Sequence, residues 1–177
     1  MDMKDKSKEQ LIEELERLQL EYELLKQIHQ KKVEEQNLTI KQIRDIIEYN
    51  PISLRIVDKD GHTLVVNESF RSLFGAVPPK NYSIFDDIQI KELKYEYLFE
   101  KLKNGESVRF PDLCYNAHEV EPSIPDTPVW IRMLAFPLFD VQGVPERFVL
   151  MHQNISERKK TEKALRESEE NYRLLLE

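Results

Sequence analysis

The apolar positions change period once along this chain, from helical spacing to alternation. From Ser7 to about Tyr49 they recur at helical spacing, with neither Gly nor Pro to interrupt them. Leu11, Leu15, Leu18, Tyr22 and Leu25 follow a 4-3-4-3 step, the narrow stripe of a coiled coil. Val33, Gln36, Ile40, Ile43 and Ile47 resume a 3-4-3-4 step. Extending the first register puts His29 and Lys32 on the stripe, so the halves are out of phase by a stutter that locally unwinds a supercoil. A stripe this narrow buries little by itself and needs a partner. The simplest is the same helix of a second chain, giving a parallel homodimer seamed by Leu11, Leu15, Leu18, Tyr22, Leu25, Ile40, Ile43 and Ile47. The other solution is a helix folded back on its own domain.

Tyr49-Asn50-Pro51 ends this pattern, because a proline disfavours helical geometry at the residue before it. Ile52–Val57 then reads as a strand, Asp58-Lys59-Asp60-Gly61 as a hairpin turn and His62–Val66 as the returning strand. Phe70, Leu73 and Phe74 share one face of a short helix, with Asn67 as N-cap and Gly75 as its stop. Tyr82–Ile90 is expected as short helical turns, and Lys91–Leu102 as a helix closed by Asn104-Gly105. Three strands follow: Ser107–Tyr115, Val129–Phe139, and Pro145 or Glu146 to Ile155. The last two are joined by a turn at Asp140–Gly143, and the first two by a long loop, Asn116–Pro128, a candidate lid. The last strand runs without Gly or Pro into a charged helix from Ser156.

The order of two strands, helices and three strands predicts an α+β fold: a five-stranded antiparallel sheet with short helices on one face. An N-terminal coiled-coil helix (1–48) and a C-terminal linker helix (156–177) flank the central domain (49–155). Alternation places Trp130, Arg132, Leu134 and Phe136 on one face of a strand, Ile131, Met133 and Ala135 on the other, and Phe148, Leu150 and His152 together on the last strand. Both faces are apolar, so the pattern leaves open which one points inward.

Composition narrows the functional classes. A net charge of −7 argues against nucleic acid or direct contact with an anionic membrane, both of which need a basic patch. One cysteine allows no internal disulfide, and the first residues lack the apolar core of a secretion signal. A cytoplasmic protein is the expectation. All four glycines serve as punctuation, leaving none for a phosphate-cradling loop. His29, His62, His118 and His152 form no paired metal-ligand spacing, and no Ser/His/Asp or Cys/His arrangement stands out. Asp86-Asp87 and Asp112 have no obvious partner and read as solvated turn residues, and Cys114 as a small buried hydrophobe. No metal site and no catalytic residue are expected, so the chain is not read as an enzyme.

Trp130-Ile131-Arg132, Pro137-Leu138-Phe139-Asp140, Gly143-Val144 and Asn154-Ile155-Ser156-Glu157-Arg158-Lys159 together resemble the carboxy-terminal half of a PAS domain. Asn67-Glu68-Ser69-Phe70 and Leu73-Phe74-Gly75 resemble its amino-terminal half. The resemblance spans about residues 43–163. It implies a pocket for a small molecule or cofactor between sheet and helices, and dimers joined by flanking coiled coils, as in sensor histidine kinases. Phe74, Phe85, Leu98, Cys114, Leu134, Leu150 and His152 are the expected lining, with a filled core as the alternative. The resemblance disfavours haem, since no His lies in Lys91–Leu102. It also disfavours covalent flavin photochemistry, since Cys114 is on a strand; the cofactor stays unknown.

The chain departs from the family at one corner. Where the family usually has Asp-Ile-Thr, with an acid making a charged contact, this chain has Asn154-Ile155-Ser156. Arg132 is then free to pair elsewhere. The expected function is a sensory or relay module in which Trp130, Arg132, Asn154, Ile155, Ser156 and Glu157 pass a shift of the sheet to the outgoing helix. The tail from Leu165 resembles the lead-in to a further PAS domain, so the chain reads as a fragment of a sensor histidine kinase with a PAS or kinase domain downstream. The alternative is a constitutive homodimerisation module without ligand.

Overall fold

The computed structural model describes residues 8–176, with side chains for residues 8–173. The expected helix start at Ser7 and the final Glu177 lie outside the described residues. The chain divides into two units, 1–46 and 47–177. In the first, helix α1 (Lys8–Glu48) runs unbroken to the unit's end and two residues beyond, as a sequence of strong helix formers dictates. Its seam residues Leu11, Leu15, Leu18, Tyr22, Leu25, Ile40 and Ile43 are all exposed in the single chain.

The second unit is an antiparallel sheet with helices against one face. Strands β1 (Ser53–Asp58), β2 (Thr63–Val66), β3 (Val108–Arg109), β4 (Leu113–Tyr115), β5 (Val129–Phe139) and β6 (Pro145–Asn154) are arranged β2-β1-β6-β5-β3, with β4 also on β5. Helices α2 (Glu68–Phe74), α3 (Ile88–Glu92) and α4 (Glu96–Lys103) lie between β2 and β3, and α5 (Ser156–Leu176) follows β6.

The face left open by the sequence is now fixed. Ser53, Arg55 and Val57 on β1, Phe148, Leu150 and His152 on β6, and Ile131, Met133 and Ala135 on β5 are buried. They pack with Phe70 and Phe74 of α2 and with Leu98, Phe99 and Leu102 of α4. An edge-packed aromatic chain, Phe148–Phe85–Phe99–Phe110, runs through the core with ring centroids 5.6, 5.1 and 5.2 Å apart.

Asn67 fastens the helical layer to the sheet. It is fully buried. Its Oδ1 accepts from the Phe70 N–H, capping α2, and from the Leu54 N–H on β1, both at 2.9 Å. Its Nδ2 donates to the carbonyls of Ile52 at 2.8 Å and Asn50 at 3.1 Å. Helix α2 ends as expected on Gly75, whose φ of 80° suits the left-handed stop of a residue without Cβ.

Two expected elements are each broken in two. The helix expected over Lys91–Leu102 ends at Glu92 and restarts at Glu96. Between them the Tyr95 N–H reaches back to the Ile90 carbonyl (3.0 Å) and the Lys94 N–H to Lys91 (2.9 Å), a Schellman closure with Lys94 at φ 59°. Lysine at that position bears left-handed strain. Lys94→Gly is therefore expected to raise stability by roughly 0.5–1 kcal/mol, the relieved strain less the added freedom of the unfolded chain. Urea denaturation reads this, and a lower midpoint contradicts it. The strand expected over Ser107–Tyr115 splits into β3 and β4 because Pro111 has no N–H for the ladder. The resulting corner, Phe110-Pro111-Asp112, turns Asp112 toward β5 and α5.

Candidate functional site

Two features of the second unit can carry a signal: a cavity under the helical layer and the joint between sheet and α5. The cavity measures about 40 Å³ and lies between Arg55, His152, Ile131 and Met133 on the sheet and Phe70 and Phe74 on α2. Residues Ala76 and Pro78 and the 117–124 segment roof it. That segment, expected as a lid, is fastened. Gln89 and Asn116 exchange hydrogen bonds at 2.9 and 2.8 Å, and the His118 ring lies 2.6 Å from the Ile124 carbonyl oxygen.

Of the residues expected to line a pocket, Phe74 and His152 do so. Phe85, Leu98 and Leu150 belong to the packed core beside it. Cys114 and Leu134 are corrections: they point from β4 and β5 to the opposite face of the sheet, out of step with the buried Leu113, Ile131 and Met133. Cys114 is exposed rather than a buried hydrophobe.

The polar end of the cavity brings the expected His152 together with Arg55, which escaped the sequence reading. Arg55 is 3% exposed, lies over the Tyr82 ring at 5.3 Å, and has a Nε with no hydrogen-bond partner. Its Nη2 reaches the Gly61 carbonyl only at 3.4 Å. Burial draws its pKa down, but a guanidinium stays charged at neutral pH. His152 sits with Nδ1 3.3 Å from Ser53 Oγ, edge-on to Phe70 and Phe74. Burial, reinforced by the Arg55 charge, pushes its pKa to about 3, so the imidazole is neutral.

Asp87, read from the sequence as a solvated turn residue, is buried. It caps α3 through the Ile90 N–H and accepts from the hydroxyls of Tyr82 and Tyr115. Burial and that carboxylate raise both tyrosine pKa values. Asp86 pairs with Lys91 at 2.8 Å. Asp58, Asp60 and His62 bring three polar groups together in the β1–β2 turn. The Asp60 and His62 N–H groups both donate to Asp58 Oδ1 at 2.9 Å, and these turn bonds account for the cluster.

The joint is closed by Trp130, Arg132, Asn154, Ile155 and Ser156, expected there, and by Asp112, Arg158 and Lys159, which were not. The Ile155 N–H donates to the Trp130 carbonyl (2.8 Å), the Trp130 N–H to Ser156 Oγ (3.0 Å), and the Ser156 N–H to Asn154 Oδ1 (2.9 Å). Arg132 does pair elsewhere. Asp112 accepts from its Nε at 2.9 Å, from Arg158 Nη2 at 2.6 Å, and lies 3.1 Å from Lys159 Nζ. Those bonds, Arg132 first, hold the Asp112 carboxyl at a pKa of about 2. Lys159 also stands over the Trp130 ring at 5.2 Å. One acid at the β3–β4 corner thus ties β5 to the first turn of α5, supplying from another strand the charge absent at Asn154. Among the described residues the carboxylate of Glu157, also expected there, accepts a hydrogen bond only from Lys160, within α5.

No family model matches the sequence, and no curated protein does. Solved structures match the fold. The PAS domain of an HTR-like protein from Haloarcula marismortui is 14% identical, covering 71% of this chain and 99% of its own, with a TM-score of 0.54. The PAS domain of BvgS from Bordetella pertussis is 18% identical over 75% of this chain and 98% of its own, at 0.50. A light-oxygen-voltage protein from Rhodobacter sphaeroides is 14% identical over 73% of each chain, at 0.55.

Proposed function

This chain carries a PAS-fold domain, and on that premise we propose that it is a sensory or relay module whose signal leaves through α5. The observation that supports this most is the joint itself. Strand β6 enters α5 with no intervening loop, backbone-linked hydrogen bonds tie the corner to Trp130 on β5 and to Asn154 on β6, and the Asp112 cluster ties Arg132 on β5 to the first turn of α5. A displacement of β5 or β6 therefore alters contacts that α5 makes, which is the differential interaction a relay requires. The output is a signalling domain of the parent chain, a further PAS domain or a histidine kinase, in keeping with the sequence resemblance.

The α1 stripe serves this role as a parallel coiled-coil seam between two copies. Light scattering on the full chain tests it. A dimer mass is expected for the wild type and a monomer mass for Leu15→Lys with Leu18→Lys; a monomeric wild type contradicts the seam. The small cavity supports a second reading, a constitutive homodimerisation module without ligand. The relay is tested by placing the chain ahead of an output domain. Trp130→Ala and Asn154→Ala are expected to change regulation of that output while leaving the fold intact, and unchanged regulation in both overturns the relay.

A further inference from the structure

We propose that the cavity is a binding site for a small monocarboxylate, whose carboxylate pairs with the Arg55 guanidinium on its wall. The proposal rests on the reading of this domain as a sensory module and names the class of ligand it would sense.

A buried charge is costly unless paired. Arg55 lies on the cavity wall, 3% exposed, and no carboxylate stands within ion-pair distance of it among the described residues. The nearest buried acid, Asp87, spends its oxygens on Tyr82, Tyr115 and the Ile90 N–H. Arg55 Nε is left as a buried donor without an acceptor. Asp87 acts on Arg55 only at longer range, and a carboxylate in the cavity brings a direct opposite charge and lone pairs in the geometry a guanidinium favours.

The rest of the cavity sets the size and polarity of the molecule. A volume of about 40 Å³ is roughly that of three water-sized probes, enough for a few heavy atoms. Phe70, Phe74, Ile84, Leu113 and Met133 supply an apolar wall for a short alkyl tail. His152, neutral by burial, adds no second positive charge. Glu121 lines the roof, and its carboxylate already accepts from Ser123 Oγ at 2.7 Å and from the Ser123 N–H at 3.2 Å. A second acid on the ligand would face Glu121, so dicarboxylates are excluded by charge as well as by size.

The test is a titration of the full chain with propionate, propionamide and succinate at matched ionic strength, followed by the Arg55 Nε–Hε resonance and the amides of Leu113 and Ile131. Propionate is expected to shift these signals saturably, with a dissociation constant between about 10 μM and 1 mM, the range open to some five heavy atoms. Propionamide, which keeps the shape and loses the charge, and succinate are each expected to bind at least about tenfold more weakly. Arg55→Met is expected to lose the response, as is Leu113→Phe, which fills the cavity and keeps the guanidinium. Equal responses to propionate and propionamide, or none from propionate, overturn the proposal on the wild-type protein alone, whatever the variants do. Backbone rigidity through residues 150–165, read on the same sample without ligand, separates the two claims. A null titration with a rigid joint removes only the ligand, and a mobile joint removes the relay.

Discussion

Asn67→Ala is expected to lower the stability of the PAS-fold unit by about 3–5 kcal/mol, a third or more of what a domain of this size holds. The side chain uses its full hydrogen-bonding capacity, two acceptances and two donations, at a fully buried position. Alanine removes an N-cap worth about 1 kcal/mol. It also strands the Leu54 N–H and the Ile52 carbonyl, at about 1–3 kcal/mol for each group that water cannot reach, while the Asn50 carbonyl keeps its bond from Ser69 Oγ at 2.6 Å. Asn67→Asp keeps both acceptor bonds but turns a carboxylate oxygen toward the Ile52 and Asn50 carbonyls at a fully buried position, so it is expected to cost at least as much as alanine. Urea denaturation of the three proteins gives the order, and a loss under about 1 kcal/mol for Asn67→Ala contradicts it.

The second large effect is on coupling rather than folding. Asp112→Asn is expected to leave the sheet amides protected while raising hydrogen exchange in the first two turns of α5 by about tenfold. That follows from losing on the order of 1–2 kcal/mol of ion-pair stabilisation at a site still partly open to solvent. Arg132, Arg158 and Lys159 would then face one another without the acid that holds them. The same cluster predicts a pH dependence. The Asp112 pKa lies at about 2 in the folded protein against an ordinary 3.8, so its contribution is complete above about pH 4 and fades as pH falls toward 2. Exchange in α5 of the wild type should rise over that window, and Asp112→Asn should be insensitive to it.

Local chemistry made most of the architecture readable from the sequence. An unbroken run of helix formers gave α1, an Asp-rich turn ending in Gly61 gave the first hairpin, and Asn67 with Gly75 bracketed α2. Alternation gave β5 and β6. The break at Lys94 was hidden because a lysine in left-handed geometry carries no sequence signature. The break at Pro111 was visible in principle, since a proline inside a strand argues against an unbroken ladder. The inward face of the sheet could not be assigned, because both faces of β5 are apolar. It follows from which residues α2 and α4 cover.

That ambiguity cost the candidate site its polar members other than His152. Arg55 alternates in phase with Ser53 and Val57, and with the face unknown nothing along the chain marked it as buried. Asp87 and Asp112 each sat in a turn-like run, and their partners Tyr82, Tyr115, Arg132, Arg158 and Lys159 lie on other elements. Only long-range packing brings them together. The departure at Asn154 did point to Arg132 pairing elsewhere, but nothing along the chain named Asp112.

The account stands on a stiff joint between β6 and α5, and backbone order parameters across residues 150–165 test it most directly. A continuous value of about 0.85 from the last strand through Lys163, with no dip at residues 154–158, is the predicted result. Values below about 0.6 at those residues would mean that the sheet and the helix move independently, and the relay would have no physical basis.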